Sequence, residues 1–297
     1  MKKVISFYSK MLIFCFRVPL LLARKNLRFV SFNVNSVRVR LAQLEKVIAV
    51  HNPEIIGLQE TKATDEDFPI EEIKGLGYHA QFYGQKTHYG VAILSKNQPL
   101  STVLGLPNDQ ETSQRRFIEC KFGLSNGRRL GIINCYFPQG SDRKHPIKFP
   151  AKEKFYADVY KYINKEYSPD DLFMLLGDMN VAPIDNDIGI GEENRKRWLR
   201  DGKTSFLPEE RLWLDRITKW GMTDSFRAHN SDVDNLFSWF DYRSRGFERT
   251  PKRGLRIDLI LNSLGLDPFS KASGIDYDVR GMERPSDHCP IWTDFEL

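Results

Sequence analysis

Cysteine is scarce in this 297-residue chain: Cys15, Cys120, Cys135 and Cys289 stand far apart, with no Cys-x-x-Cys pair. That spacing excludes the dense disulfide framework of a small secreted domain, gives zinc no thiol ligand pattern, and favours a reducing compartment. The chain also lacks the run of about 20 apolar residues that a membrane-spanning helix needs. Its apolar stretch Met11 to Phe16 is interrupted by Arg17 and Pro19 before Leu20 to Ala23, and with Lys2 and Lys3 it only loosely imitates a signal peptide. A disordered tail or an upstream start codon accounts for residues 1–26 better, because the first core strand begins at Leu27. A genuine basic excess is missing too. The net charge of +5 includes Lys2, Lys3, Lys10, Arg17, Arg24 and Lys25, six of the 44 basic residues, which leaves 38 against 39 acids from residue 27 onward. A nucleic-acid partner must therefore be argued from local clusters. No Gly/Ser-rich linker, repeat or low-complexity tract divides residues 27–297, which are read as a single domain.

What is present is an ordinary globular composition, 41% hydrophobic and 28% charged, long enough for a sizeable core. Leu27 to Asn33 reads as a strand, and Leu41, Leu44 and Ile48 mark one helical face that Pro53 closes before a strand over Glu54 to Glu60. Tyr89 to Ser95, Phe117 to Phe122, Arg129 to Tyr136 and Leu172 to Leu176 are further β-rich runs. A second helix spans Lys152 to Tyr167 through Phe155, Val159 and Tyr162 or Ile163. Adjacent strand pairs interspersed with helices do not fit the strict alternation of a barrel, so the expected fold class is α/β with sandwiched sheets.

Five polar islands abut these apolar runs: Phe32-Asn33, Leu58 to Thr61, Leu176 to Asn180, Arg256 to Ile260 and Ser286 to Pro290. Carboxylates and amides at strand ends are partly buried, and a divalent cation can make up for lost solvation there. Five oxygen-rich islands, one ending in Asp287-His288, point to metal-assisted phosphoryl transfer. Glu60 is the best Mg²⁺ ligand, since Mg²⁺ takes one or two carboxylates and keeps several waters. Asp178 would orient or deprotonate the attacking water, and Asn180 would donate to the phosphate or pin that carboxylate. Asp258 would fix the tautomer of His288 and favour its protonated ring. Taken singly, Asp258 could be a strand-end cap, Asn33 a turn residue and Tyr136 a half-buried core aromatic; Asp178 with Asn180 and Asp287 with His288 resist such explanations.

The ordered segments Phe29 to Asn33, Gly57 to Lys62, Tyr136 to Gly140, Gly177 to Asn180, Gly254 to Asp258 and Pro285 to His288 resemble the motifs of the exonuclease/endonuclease/phosphatase superfamily. Gly189 to Leu199 and Phe237 to Arg243 resemble, within it, the exodeoxyribonuclease III family of abasic-site endonucleases. The resemblance spans residues 27–297 and implies a four-layer, DNase I-like α/β sandwich of two packed mixed sheets flanked by helices. It implies a metal region held by Asn33, Glu60, Asp178, Asn180, Asp287 and His288, with Mg²⁺ as cofactor and Mn²⁺ able to substitute, and a catalytic phenol at Tyr136. The implied activity is incision 5′ to abasic sites in duplex DNA together with 3′ to 5′ exonuclease and 3′-end cleaning. The implied setting is a cytoplasmic monomer acting on duplex DNA with abasic sites or blocked 3′ ends, and on no membrane.

Substrate class rests on two clusters, Arg195 to Arg200 around Trp198, and Arg243, Arg245, Arg249, Lys252, Arg253 and Arg256 beside Trp239. Either alone would be read as a solvated charged face with core tryptophans; the family resemblance reverses that reading. Trp239 is then the residue expected to fill the space of a missing base, with Leu255, Ile257, Arg243 and Arg116 as further substrate contacts. The segment Phe247 to Gly254 is longer and more basic than the family pattern. Competing readings are a phosphatase or lipid phosphodiesterase of the same superfamily and a non-catalytic DNA-binding module.

Overall fold

The computed structural model describes residues 20–21 and 26–297, so the reading of residues 1–26 as an extension lies almost wholly outside the described residues. Among the described residues, thirteen strands form two mixed sheets. The first sheet runs β1 (Leu20–Leu21), β7 (Phe117–Leu124), β8 (Arg129–Tyr136), β9 (Phe173–Asp178), β11 (Asp258–Ser263), β10 (Met222–Asp224), with β6 (Ser101–Leu104) also on β7. The second runs β12 (Ser270–Ile275), β13 (Ile291–Phe295), β2 (Leu27–Asn33), β3 (Ile55–Gln59), β5 (Val91–Ser95), β4 (His79–Tyr83). Helices α1 (Leu41–His51), α2 (Ile70–Gly75), α3 (Lys148–Glu166), α4 (Glu192–Asp201), α5 (Pro208–Gly221), α6 (Ser225–His229) and α7 (Tyr277–Arg280) connect them.

Strands β3, β5, β9 and β11 are buried along their whole length. Such strands need something apolar on both faces. Between the sheets, Phe29, Ile55 and Ile93 of one pack with Ile118, Ile132, Met174 and Leu176 of the other. Outside the first sheet, Ile133, Phe173 and Leu175 are covered by Tyr156, Val159 and Ile163 of α3 and by Leu214 and Ile217 of α5. Outside the second, Val30, Phe32, Ile56 and Leu58 are covered by Leu44 and Val47 of α1 and Ile73 of α2. Helix, sheet, sheet and helix thus stack as the expected four-layer α/β sandwich. No helix among the described residues is long and apolar enough to cross a membrane.

Several boundaries differ from expectation, and two helix ends have local causes. Helix α3 starts at Lys148, before the expected Lys152, because Pro150 lies in the first turn, where the missing N–H costs nothing. Helix α1 ends at a left-handed cap, Asn52 with φ of 43°, whose N–H returns to Ile48, one residue ahead of Pro53.

Register places the polar islands at one end of both sheets. Tyr136 lies opposite Asp178, and Asp178 opposite Asp258, across β8, β9 and β11, while Asn33 lies opposite Gln59 across β2 and β3. The sheets are pinned to each other just inside that end: Gln59 Nε2 donates to Asn134 Oδ1 at 2.7 Å, and Asn134 Nδ2 donates to the carbonyls of Leu58 at 2.9 Å and Ala92 at 2.8 Å. Buried amides bonded across the gap in this way fix one alignment of the two layers.

Gly177 marks where backbone approaches backbone. Its φ is +143°, and a Cβ there would lie 1.9 Å from the Cys135 carbonyl oxygen. Gly177→Ala is expected to cost about 2 to 4 kcal/mol through strain and a displaced strand. The check is the urea midpoint, which should fall with an unchanged m-value; an unshifted midpoint would contradict the close approach.

Candidate active site

The loops after the strand ends carry unusual backbone. Asn35, Ser36, Glu60, Lys62 and Asn180 all have positive φ, between 45° and 92°. Non-glycine residues adopt that region at an energetic cost, and the surrounding structure must hold them there. Here they follow β2, β3 and β9, so the strained turns converge on one point.

At that point sits Asn33, fully buried. Its Nδ2 donates to Glu60 Oε1 at 3.0 Å and, across the gap between the sheets, to Asp178 Oδ2 at 3.0 Å. The other oxygen of Asp178 accepts from the Asn180 N–H at 2.9 Å, and Lys62 Nζ lies 3.0 Å from Glu60 Oε2. Ligand atoms of Glu60, Asp178 and His288 all lie within 4.8 Å of one another. Two carboxylates this close suit a hard divalent cation, which would offset their repulsion.

His288 is built differently. Its Nδ1 lies 2.9 Å from Asp258 Oδ2, and its Nε2 lies 3.8 Å from Asp178 Oδ2. Burial alone would lower the imidazole pKa, but the Asp258 and Asp178 carboxylates outweigh it and raise it to about 10. Held by Asp258 through Nδ1, the His288 ring turns its Nε2 toward Asp178 Oδ2 and so stands beside the oxygen ligands Glu60 and Asp178. Burial pushes the Asp178 carboxyl up, with Asp258 and Glu60 adding to it against the pull of His288. Burial likewise pushes the Tyr136 phenol well above its usual value, with Glu60 adding to it. Tyr136 therefore stays a hydrogen-bond donor at neutral pH.

These groups line a pocket of about 310 Å³ that continues to Trp198, Trp239 and Ile257. Asp287 lies on its wall, but its oxygens accept from Asn35 Nδ2 at 2.8 Å and Trp239 Nε1 at 3.1 Å. Burial would raise the Asp287 carboxyl, yet His288 and these two bonds hold it below its usual range. Asp287 thus aims Trp239, and among the described residues it does not join the Glu60, Asp178 and His288 group. Asn33 faces the carboxylates with its donor nitrogen; its Oδ1 accepts from the Asn35 N–H at 3.1 Å.

The sequence pattern of the Endonuclease/Exonuclease/phosphatase family matches residues 30–288. The chain belongs to that family. Within it, exodeoxyribonuclease III of Haemophilus influenzae is 52% identical over 274 residues, 91% of this chain and all of the relative. A Neisseria 3′ phosphatase solved with a product DNA hairpin is 34% identical, with a TM-score of 0.81 over 91% of this chain and all of that one. An AP endonuclease from Archaeoglobus fulgidus is 29% identical, with a TM-score of 0.82 over the same shares.

Against this family frame, four expected substrate contacts fall in different places. Ile257 lines the pocket, whereas Leu255, 1% exposed, packs with Ala182 and Phe206 and lines neither this pocket nor its neighbour. Arg243 is exposed on the loop beyond Trp239, outside both pockets. Arg116 is buried beside the site, donates to the Tyr136 carbonyl at 3.0 Å, and stacks on the Tyr136 ring at 4.4 Å. It also lines a neighbouring pocket together with Glu60 and Tyr136. Arg256 leaves the basic cluster altogether: it is 1% exposed and ion-paired with Asp187 and Asp224. Arg253 is exposed, whereas the chain is buried from Gly254 onward, so Arg256 enters the interior with its neighbours.

Sequence reasoning missed Asn35, Lys62 and Lys152. The first two sit in the left-handed turns, where no periodicity applies. Lys152 is fully buried, paired with Glu210 at 2.5 Å, and donates to the Asn180 carbonyl at 2.9 Å. Its place on the buried face of α3, four residues before Tyr156, was the available signal.

Because the His288 pKa is raised, its contribution to stability is complete below the unfolded value of 6.5 and is lost as pH climbs through about 10. Asp258→Asn removes the strongest support of the charged ring. In metal-free buffer the stability gap between wild type and Asp258→Asn should be widest near pH 6 and narrow toward pH 10, and the ring proton signals of the variant should titrate at lower pH by NMR. A gap independent of pH would contradict the pairing.

Proposed function

We propose that this family member is a Mg²⁺-dependent DNA repair nuclease that hydrolyses the phosphodiester 5′ to abasic sites in duplex DNA and also trims or cleans 3′ ends, with Mn²⁺ able to replace Mg²⁺. The observation that carries the reading is the continuity of one pocket: the Glu60, Asp178 and His288 cluster opens directly onto the indoles of Trp198 and Trp239. The names of the Haemophilus, Neisseria and Archaeoglobus relatives support it. We place the protein in the cytoplasm, acting as a monomer with residues 27–297 as its single catalytic domain and no membrane contact.

The chemistry requires in-line attack of water on phosphorus. Glu60 and Asp178 are the oxygen donors that fit a divalent cation, which when bound polarises the phosphoryl oxygen and stabilises the charge that develops there. Asp178, buried at the end of β9, is placed to orient the attacking water and take its proton. Asn33 and the Asn180 N–H keep its two oxygens aimed. His288, held protonated by Asp258, donates to a non-bridging phosphate oxygen as its charge grows. Tyr136, opposite Asp178 in register, offers its phenol to the phosphate or the leaving oxygen. Trp239 packs against the sugar that lacks a base.

A lipid phosphodiesterase or a generic phosphatase would need the first cluster but not the indole wall. The test compares a duplex oligonucleotide carrying one abasic site with a small aryl phosphodiester, with and without EDTA. EDTA should abolish both reactions. Trp239→Ala should lower abasic cleavage by the equivalent of about 1 to 3 kcal/mol, the range for an aromatic lost from a base-stacking surface, and spare the small diester. Trp239→Phe, which keeps a ring but loses the bond to Asp287, should fall between. Equal loss of both reactions in Trp239→Ala would make the indole a mere structural support and remove the argument for abasic DNA.

A further inference from the structure

Arg40, the residue that leads into α1, has no part in the chemistry derived above. Its guanidinium reaches three segments that lie far apart in sequence. Nη1 donates to the Asn35 carbonyl at 2.5 Å, and Nη2 donates to the Pro285 carbonyl at 3.1 Å and to the Tyr242 hydroxyl at 3.3 Å. That hydroxyl in turn donates to the Pro285 carbonyl at 2.6 Å. Within the described residues the partners are thus two carbonyls and a phenol, with no carboxylate among them. A guanidinium held by neutral acceptors acts through the fixed geometry of its donors, a use for which lysine is a poor substitute.

Each of the three segments supports the indole wall. Pro285 stands two residues before Asp287, whose Oδ2 accepts from Trp239 Nε1. Tyr242 stands three residues after Trp239, and between them the Phe240 N–H donates to the Asp287 carbonyl at 2.9 Å. From Tyr242 to Arg245 the chain is exposed, and the Tyr242 hydroxyl fastens that stretch back to the body. Asn35 supplies the link to the metal region. Its Nδ2 donates to Asp287 Oδ1, its N–H to Asn33 Oδ1, and its Oδ1 accepts from Lys62 Nζ at 2.6 Å. Helix α1 adds a second tie, since Gln43 Nε2 donates to the Glu283 carbonyl at 2.7 Å.

Resting on the proposed activity, we infer that Arg40 is a specificity-determining positioning residue: it fixes where the Trp239 indole stands relative to the Glu60 and Asp178 carboxylates, and so sets the preference for an abasic residue over a diester with no sugar to place there. Arg40 lines neither the catalytic pocket nor the cleft beyond Trp239, so it acts through the groups it holds. Without it, the turn after β2, the stretch before Asp287 and the loop after Trp239 keep their own bonds but lose their common anchor. Ordering the wall then falls on substrate binding, which weakens it.

The test measures kcat and KM of the Mg²⁺-loaded enzyme on a duplex with one abasic site and on a small aryl phosphodiester. Arg40→Met keeps the stem and removes the donors. It should raise KM for the abasic duplex about 10-fold with kcat near that of wild type, and change kcat/KM for the small diester by less than about 2-fold. Arg40→Lys, which can satisfy one acceptor, should recover part of the loss. Tyr242→Phe, a change on an exposed ring that removes only the hydroxyl, should move KM for the abasic duplex the same way by a smaller factor. In a Trp239→Ala background Arg40→Met should add little, because the wall it positions is gone. Equal loss on both substrates, or full additivity with Trp239→Ala, overturns the inference and makes Arg40 a support of the fold alone. A wild-type enzyme that leaves the abasic duplex uncut overturns the proposed activity itself, and the inference with it.

Discussion

One side-chain amide joins the two halves of this site. Asn33 closes the strand β2 of one sheet and bonds with the same nitrogen to Glu60 beside it and Asp178 across the gap on the other sheet. The bridge brings two carboxylates together in a nearly dry place, where their repulsion is costly. Much of what surrounds them compensates: Lys62 on the free oxygen of Glu60, the Asn180 N–H on Asp178, and the protonated ring of His288 held by Asp258. A divalent cation between the carboxylates completes the same electrostatic logic, which is why the site suits phosphoryl transfer.

Support for that arrangement extends well behind the pocket. Lys152 and Glu210 form a wholly buried pair; the lysine holds the Asn180 carbonyl, and Glu210 accepts the Ser205 and Leu207 N–H groups. Arg256, Arg227 and Asp187 form a second buried cluster that ties the start of β11, with Asp258 at its head, to the segment leading into α4. Buried ion pairs of this kind contribute little net stability, and their effect here is to fix position. The Glu60 and Asp178 carboxylates and helix α4 are thereby set on one rigid frame.

Much of this was legible in the sequence, and the misses have physical causes. Strands β2 and β8 coincide with their apolar runs, and the strand-end islands supplied Asn33, Glu60, Asp178, Asn180, Asp258 and His288. The turns were less readable, because Asn35 and Lys62 act from left-handed conformations that follow no repeat. Arg256 was misplaced because linear proximity to the exposed Arg253 hides the point, at Gly254, where the chain enters the interior. Leu255 and Ile257 looked equivalent, and both pack in the cluster with Phe206, but the backbone of Leu255 pairs with that of Trp239 and of the two only Ile257 also lines the pocket. Asp287 was expected in the metal region; it lines the same pocket, and its oxygens accept from Asn35 and Trp239. Such outcomes depend on contacts between residues some 50 to 250 positions apart, as in the Asn35 to Asp287 and Trp239 to Asp287 bonds, which no local pattern encodes.

The central claim is that the Glu60 and Asp178 pair, held by Asn33, is a cation site. Calorimetric titration of the purified protein with Mg²⁺ tests it most directly. Saturable binding is expected in wild type and in Trp239→Ala, and loss of that binding in a folded Glu60→Gln variant. Undiminished Mg²⁺ binding by Glu60→Gln would contradict the account.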